Sequence, residues 1–212
     1  MRSTLGFAML VFAVLGCGEV DARPPRGRAK VTKAQVVPSA AAPAPSGRRE
    51  TAILAGGCFW GMEHVLRAAP GVISVEVGYA GGASTSVSYE DVSTGKTGHA
   101  EAVRVVFDPA RLSYQDLLAH WYFRGHDPTT IDRQNNDVGT EYRSEIFTTT
   151  PAQQQTALAV KARVDATGKW RKPIVTRVEP ATTFVPAEDY HQDFLIKHPD
   201  GYNDHYLRDF DF

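Results

Sequence analysis

Strand and helix spacings of apolar residues appear only from residue 51 onwards, so residues 51–212 are the part of the chain that can build a hydrophobic core. The two spacings are interspersed along this part, which predicts an α+β domain with a central mixed β-sheet and flanking helices in two layers. The predicted strands are 51–55, 72–79, 101–107, 142–147 and 174–178, and the predicted helices are 59–67, 113–122, 151–164 and 188–196.

Residues 1–17 have the features of an export signal. Arg2 precedes an apolar run from Leu5 to Leu15, which is too short to cross a bilayer as an ordinary helix. The run ends at Cys17 in Val-Leu-Gly-Cys, which resembles a bacterial lipoprotein signal. We therefore predict an exported bacterial protein, either periplasmic or anchored to a membrane through a lipid on Cys17. The alternative is a plain signal peptide in which Cys17 has no role.

We predict that residues 18–50 form a flexible tether, because five prolines lie among small and basic residues and apolar residues show no regular spacing. A solvated linker is favoured over one that lies on an anionic membrane surface. The first 50 residues hold 8 basic and 3 acidic side chains, whereas residues 51–212 hold 15 and 21. These opposite excesses give a net charge of −1, so the charge of the whole chain offers no reason to expect nucleic-acid binding.

The two cysteines, Cys17 and Cys58, are too few for a disulfide-dense scaffold or a site with three or four thiolates. Cys58 lies in the segment 56–61 (Gly-Gly-Cys-Phe-Trp-Gly), where a predicted strand turns into a predicted helix. The N–H groups and the dipole of a helix N-terminus both favour a thiolate, and Phe59 and Trp60 can line an apolar slot beside it. A nucleophilic cysteine and a buried structural cysteine both remain open at this point.

Glu101 begins a predicted strand of mostly apolar residues, so its carboxyl group can be partly desolvated. Desolvation raises the pKa of a carboxyl group and keeps it protonated near neutral pH, as a general acid requires. The alternative is an exposed glutamate at the start of a strand. His99, two residues earlier, has no second metal ligand at a familiar spacing, so we expect a structural role for it.

A long polar loop over 125–141 carries Asn136 and Asp137 and leads into Tyr142. Loops of this length in compact domains are often functional, and Asp137 and Tyr142 would add a carboxylate and a phenol donor. The alternative is turn chemistry, in which Asn136 and Asp137 bond to the local backbone.

Histidines near the C-terminus offer a further reading of the chemistry. His191 could act as the base for Cys58 in a Cys–His hydrolase, or it could cap a helix. His198, Asp200 and His205 form a loose polar cluster whose spacing matches no familiar metal site. A non-catalytic surface lipoprotein is a third reading, in which Cys58 has no chemical role.

These segments, in this order, resemble the type A peptide methionine sulfoxide reductases over residues 51–203. The most specific matches are residues 57–61 (Gly-Cys-Phe-Trp-Gly), 98–101 (Gly-His-Ala-Glu) and 137–144 (Asp-x-Gly-x-x-Tyr-Arg-Ser). The resemblance implies an oxidoreductase that reduces methionine S-sulfoxide, free or in proteins, to methionine. It implies no metal and no organic cofactor.

The resemblance also implies a role for each site residue. Cys58 would be the nucleophile that attacks the sulfoxide sulfur, and Glu101 would be the acid that protonates the oxygen. Tyr89 and Tyr142 would be the phenols that hold the oxygen. Asp137 would be the carboxylate that orders the site, and Phe59 and Trp60 would form the apolar pocket for the S-methyl group.

Many members of this family read Gly-Tyr-Cys near the C-terminus, where this chain has Gly-Tyr-Asn at 201–203. The resolving cysteine is therefore absent, and Cys17 is a poor substitute because it is removed, lipidated or distant. We expect the sulfenic acid on Cys58 to be reduced by an external thiol, such as a thioredoxin-like protein, a glutaredoxin-like protein or a small thiol. Glu141 and Asn135, where members often carry Gln and Gly, are smaller departures.

Overall fold

The computed structural model describes residues 47–212. The predicted signal segment (1–17), including Cys17, lies outside the described residues, as does the predicted tether (18–50) up to residue 46. Within residues 47–212, no helix has both the length and the apolar character needed to cross a membrane.

The described residues contain eight strands in two sheets. Their bounds are β1 (Glu50–Gly56), β2 (Val72–Ala80), β3 (Ala100–Phe107), β4 (Arg133–Gln134), β5 (Asp137–Val138), β6 (Ser144–Thr148), β7 (Arg177–Pro180) and β8 (Phe184–Pro186). Six strands form one sheet in the order β7-β6-β1-β3-β2-β8, and β4 pairs with β5 separately. In the large sheet β6 and β7 are parallel and all other neighbours are antiparallel, so the predicted mixed sheet is confirmed.

Helices connect these strands. They are α1 (Phe59–Arg67), α2 (Tyr89–Val92), α3, α4 (Pro151–Ala166) and α5 (Phe194–Lys197), with a 3-10 turn at Thr140–Tyr142. Helix α3 is composite, because a π-helical stretch at Leu117–Tyr122 separates α-helical turns at Tyr114–Asp116 and Phe123–Gly125. Helices and a mixed sheet together confirm the predicted α+β class.

The alternation of β1 divides the core between the two faces of the sheet. Ala52 and Leu54 join the larger apolar cluster, which also contains Met62 of α1 and residues of α3 and α4. Ile53 and Ala55 belong to a smaller cluster on the other face. The helices therefore cover one face, and the domain has two layers.

Antiparallel pairing of β1 with β3 brings the end of one strand next to the start of the other. Leu54 pairs with Val103, so the turn that follows β1 lies beside the first residues of β3. Cys58 is in that turn, and Glu101 is the second residue of β3. Sheet register alone thus brings these two side chains to one end of the sheet.

Most predicted elements are confirmed within one or two residues at each end, namely 51–55, 59–67, 72–79, 101–107 and 151–164. The predicted helix 113–122 is confirmed, but α3 continues three residues further, to Gly125. The predicted strand 142–147 begins two residues later, because Tyr142 ends the 3-10 turn. The predicted strand 174–178 is displaced to 177–180. Ile174 N–H donates to Asp165 Oδ1 and Val175 N–H to the Pro128 carbonyl, so these residues bond to loops rather than to β6.

The predicted helix over 188–196 is wrong for most of its length, since only Phe194–Lys197 is helical. Asp193 has a φ of +56°, which interrupts the helical pattern. Gln192 uses its side-chain amide to pair with both the N–H and the carbonyl of Val77, in the manner of an extra strand. The short strands β4, β5 and β8 and the helix α2 were not predicted.

Candidate active site

A cavity of about 120 Å³ contains all seven site residues named from the sequence. Its lining residues are Cys58, Phe59, Trp60, Tyr89, Glu101, Asp137, Tyr142 and Tyr202. A larger cavity of about 560 Å³ lies at the start of β1 and α4, where threonines predominate and there is no cysteine. The chemistry-bearing side chains are therefore concentrated in the smaller cavity.

Cys58 is the residue that precedes the first turn of α1, as predicted, and only 7% of it is exposed. The backbone N–H groups of Trp60 and Gly61 hydrogen-bond to its sulfur. The N–H of Phe59 instead donates to Glu101 Oε2 at 2.9 Å. The free donors at the helix N-terminus are thus divided between the cysteine and the glutamate.

The expectation of a thiolate in the resting site is wrong. Burial raises the pKa of the Cys58 thiol well above its usual range, and the negative charge of Glu101 raises it further. The N–H groups of Trp60 and Gly61 lower this pKa, but by less than burial raises it. The resting nucleophile is a protonated thiol, because the helix N-terminus does not compensate for the loss of water.

The predicted desolvation of Glu101 is confirmed. The pKa of its carboxyl group is raised to about 8, mainly by burial and to a smaller extent by the charges of Asp137 and Glu141. The hydrogen bond from Phe59 N–H acts in the opposite direction, because it stabilises the carboxylate. At neutral pH the carboxyl group is mostly protonated and can donate a proton into the cavity.

The two predicted phenols, Tyr89 and Tyr142, line the cavity together with Glu101. Burial raises the pKa of each phenol, and the charge of Glu101 raises both further. Both side chains therefore remain hydrogen-bond donors over the physiological pH range. Tyr89 begins α2, and its backbone N–H is fixed by Glu188 Oε1 at 2.9 Å.

Asp137 faces the cavity, and its partner is far away in sequence. Its Oδ2 accepts a hydrogen bond from the Tyr202 hydroxyl at 3.2 Å. Burial raises the pKa of Asp137, as does Asp204, whereas the Tyr202 bond lowers it. The structure therefore does not support the alternative in which the Asp137 side chain bonds to the local backbone.

Tyr202 is the lining residue that sequence reasoning missed. It lies in an irregular C-terminal segment with no apolar period, so neither strand nor helix spacing points to it. Only the return of this segment to the end of β1 and to the Asp137 loop brings it to the cavity. One signal in the sequence could have found it, because Tyr202 lies within residues 201–203, the C-terminal segment that was compared with the family.

Phe59 and Trp60 form the apolar wall of the cavity. The Phe59 side chain is buried in the main core, and the Trp60 ring stacks on Phe194 with 3.7 Å between ring centroids. Trp60 Nε1–H donates to His191 Nδ1 at 3.2 Å, which fixes the indole ring. This wall is rigid, because each ring is held on its outer side.

The hydrolase reading does not fit this geometry. His191 does not line the cavity, its Nδ1 accepts a hydrogen bond from Trp60, and its Nε2 lies 3.9 Å from Glu188 Oε2. Glu101 occupies the place beside Cys58 where a hydrolase would need its base. Burial also lowers the pKa of His191, which agrees with a neutral ring that supports Trp60.

Two further histidines, His99 and His205, have structural contacts. His99 is buried, and its Nε2 lies 3.1 Å from the Ser84 carbonyl, in agreement with the expected structural role. His205 contacts the Gly56 carbonyl. Across the part of the chain that the structure describes, no group of three or more His, Cys, Asp or Glu side chains is arranged to hold a metal ion.

Comparison with known proteins points to one family. The family model for peptide methionine sulfoxide reductase matches residues 50–210. A peptide methionine sulfoxide reductase MsrA from Nocardia farcinica is 50% identical over 157 residues, which cover 74% of this chain and 89% of that protein.

Solved structures agree with this match. Mxr1 from Saccharomyces cerevisiae in reduced form has a TM-score of 0.72 and 37% identity, over 77% of this chain and 94% of that chain. Mxr1 in complex with Trx2 has a TM-score of 0.52 and 27% identity, over 77% of this chain and 93% of that chain. On sequence, fold and cavity together, the chain belongs to the type A peptide methionine sulfoxide reductase family.

Proposed function

We propose that the chain reduces methionine S-sulfoxide, free or in proteins, by attack of Cys58 Sγ on the sulfoxide sulfur, with Glu101 as the acid. The observation that carries this proposal is the pair itself. A buried thiol and a carboxyl group that is protonated at neutral pH line the same small cavity. A reaction that moves an oxygen onto a thiol while protonating that oxygen needs these two groups together.

The reaction balances without a cofactor. Cys58 Sγ bonds to the sulfoxide sulfur, the thiol and Glu101 supply the two protons with which the oxygen leaves as water, and the S–O bond breaks. Water then attacks Cys58 Sγ, the bond between the two sulfurs breaks, and the proton that this water loses returns to Glu101. The sulfoxide sulfur gains two electrons and becomes the thioether of methionine, while Cys58 loses two electrons and becomes a sulfenic acid.

The other lining residues match the two ends of a sulfoxide. Tyr89 and Tyr142 offer O–H donors to the oxygen, and Phe59 and Trp60 offer an apolar wall to the methyl group. Asp137, held by Tyr202, orders the side of the cavity formed by β5. A cavity of about 120 Å³ admits the end of one side chain, which suits a methionine that projects from a polypeptide.

Recycling of the sulfenic acid is assigned to an external thiol. Cys58 is the free cysteine of the described residues, so the folded domain has no second thiol with which to form a disulfide. One thiol would condense with the sulfenic acid and release water, and a second would release Cys58 as a thiol. The similarity to Mxr1 in complex with Trx2 supports a thioredoxin-like donor, and a glutaredoxin-like donor fits the same chemistry.

Export and lipidation belong to the same proposal. The apolar run before Cys17 supports a lipoprotein signal, followed by a basic tether that carries the catalytic domain at a periplasmic or membrane-anchored location. Mass spectrometry of the mature protein tests this directly. A lipidated N-terminal cysteine is expected, and an N-terminus downstream of residue 17 would contradict it.

Turnover of the two sulfoxide epimers tests the reaction. The full chain is assayed on blocked methionine S-sulfoxide and R-sulfoxide with dithiothreitol as reductant. Reduction of the S epimer by wild type, none of the R epimer, and none by Cys58→Ser is the expected result. Arg163→Gln, an exposed residue of α4, is the matched control and keeps wild-type turnover. Absence of turnover in wild type, or its persistence in Cys58→Ser, contradicts the proposal.

A further inference from the structure

We propose that His205 is a positioning residue for Cys58, an inference that rests on the proposed function. The imidazole would hold the turn that carries the nucleophile in its reactive geometry, without touching the substrate. The cavity lining does not include this histidine, and the sequence pattern placed it only in a loose polar cluster with His198 and Asp200.

The first contact is with the backbone that leads into Cys58. His205 Nε2 lies 2.7 Å from the carbonyl oxygen of Gly56, the last residue of β1. The His205 side chain is fully buried, with 0% of it exposed. Gln134 Nε2–H also donates to this carbonyl, but at 3.3 Å. His205 therefore makes the shorter of the two bonds that hold the end of β1.

The second contact is a niche made by two glycines on either side of Cys58. A Cβ atom on Gly61 would lie 2.4 Å from His205 Nδ1, whereas one on Gly57 would lie 2.5 Å from the Gln134 side chain and 3.2 Å from His205 Cε1. The ring thus fills the space at Gly61 and shares the space at Gly57 with Gln134. It packs at once against the turn before Cys58 and against the first turn of α1.

The third contact extends to the loop that carries Asp137. Asp204 Oδ1 lies 2.7 Å from His205 Nδ1, and Asn135 Nδ2–H donates to Asp204 Oδ2 at 3.2 Å. Burial alone would raise the pKa of Asp204, but its closeness to His205 and the hydrogen bond from Asn135 lower it, so Asp204 is a carboxylate. The backbone N–H of His205 donates to Asn203 Oδ1, which fixes the direction of the C-terminal segment at this point.

Asn135 takes part because of its unusual backbone. It has a φ of +48°, in the left-handed region that asparagine tolerates and glycine prefers. Its side-chain amide donates to the backbone carbonyl and to the carboxylate of Asp204, and a glycine at this position would supply neither bond. The network therefore runs from the Asp137 loop through Asp204 and His205 to the turn before Cys58.

The test measures kcat and KM for blocked methionine S-sulfoxide in His205→Phe and His205→Gln. Phenylalanine keeps a ring in the niche but removes the bond to Gly56, so we expect kcat to fall by about 10- to 100-fold with little change in KM, because misplacing a reacting atom mainly slows chemistry. Glutamine keeps a side-chain donor and is expected to recover part of kcat. Circular dichroism and the melting temperature show that each variant is folded.

A second variant covers the case in which His205→Phe does not fold. Asn135→Gly removes only the two outer bonds to Asp204 and suits its backbone angle, so the fold is expected to persist while kcat falls several-fold. The alkylation rate of Cys58 by iodoacetamide, which needs no substrate, is expected to change in both variants. Folded variants with wild-type kcat and alkylation rate would overturn the role of His205. Failure of wild type to turn over would instead count against the proposed function.

Discussion

Phe59 N–H donates to Glu101 Oε2 across 2.9 Å, so the first free donor of the catalytic helix is bound to the acid and not to the nucleophile. The bond orients the carboxyl group toward the cavity while leaving its second oxygen available. It also links β3 to the start of α1, which ties the position of Glu101 to that of Cys58.

Activity is expected to fall as the pH rises through about 8, the pKa of Glu101, because the proton that the acid must donate is then lost. Glu101→Gln should keep the bond from Phe59 N–H but lower kcat by about 10²- to 10⁴-fold, the usual contribution of a general acid. Rates measured from pH 6 to 10 test both points. A flat profile for wild type would contradict the assignment of the acid.

The same substitution is expected to stabilise the fold at pH 8. The pKa of Glu101 is raised on folding, so its contribution to stability is fully present below the unfolded pKa near 4.5 and is lost as the pH rises toward 8. Glu101→Gln removes this loss, on the order of 1 kcal/mol per pH unit. Urea unfolding at pH 4 and pH 8 should show equal stabilities at the lower pH and a more stable variant at the higher one.

Tyr202→Phe is expected to lower kcat/KM by about tenfold, because a hydrogen bond to a carboxylate is worth roughly 1.5–3 kcal/mol and part of it is replaced by water. The ring would still line the cavity, whereas Asp137 would lose its donor and its pKa would rise further. Tyr206→Phe, an exposed tyrosine outside the cavity, is the control. Equal kinetics in the two variants would show that the Asp137 bond has no role.

A single turnover without reductant is expected to leave one trappable sulfenic acid, because Cys58 is the free cysteine of the described residues. Dimedone labelling and mass spectrometry of the full chain measure it. A disulfide within the chain would contradict recycling by an external thiol.

Peptides with lysines beside the methionine sulfoxide are expected to bind better than peptides with glutamates. The segments 88–98, 132–142 and 187–204 carry lining residues and hold 10 acidic and 3 basic side chains, whereas the rest of 51–212 holds 11 and 12. A several-fold difference in KM that shrinks from 20 to 300 mM salt would fit this charge pattern. Equal KM values at low salt would exclude it.

Arg143→Met is expected to destabilise the domain by about 3–5 kcal/mol, the usual result of leaving a buried charge unpaired. Arg143 and Glu145 form a buried ion pair, and Arg143 also donates to the carbonyls of Thr140 and Gly98. Chemical unfolding measures the loss. A double variant with Glu145→Met is expected to recover part of it, and no recovery would contradict a pairing effect.

Periodicity predicted the elements whose apolar faces pack on one another, such as β1, α1 and β3, because burial dictates both their spacing and their position. It failed at 188–196, where Gln192 and Glu188 bond to residues of β2 and α2 more than 90 positions earlier. Hydrogen-bond partners this distant cannot be identified from the local sequence. The same holds for Tyr202 and His205, which reach the site only through the path of the C-terminal segment.

The position of the Cys58 thiol was predicted correctly, but its protonation state was predicted wrongly. A helix N-terminus can be recognised from sequence, but the amount of water excluded from Cys58 depends on Tyr89, Tyr142 and Tyr202, which come from separate segments. Burial outweighed the helix, so the sign of the pKa shift was available only from the assembled cavity.

The buried, protonated state of Cys58 also affects how fast this cysteine reacts with oxidants. Peroxides react with exposed thiolates far faster than with shielded thiols, and successive oxidation of a cysteine ends in forms that thiols do not reverse. With 7% of the residue exposed and its pKa raised by burial, we expect Cys58 to be a poor target for peroxides. The same burial that keeps the proton on the nucleophile would therefore also slow its direct oxidation.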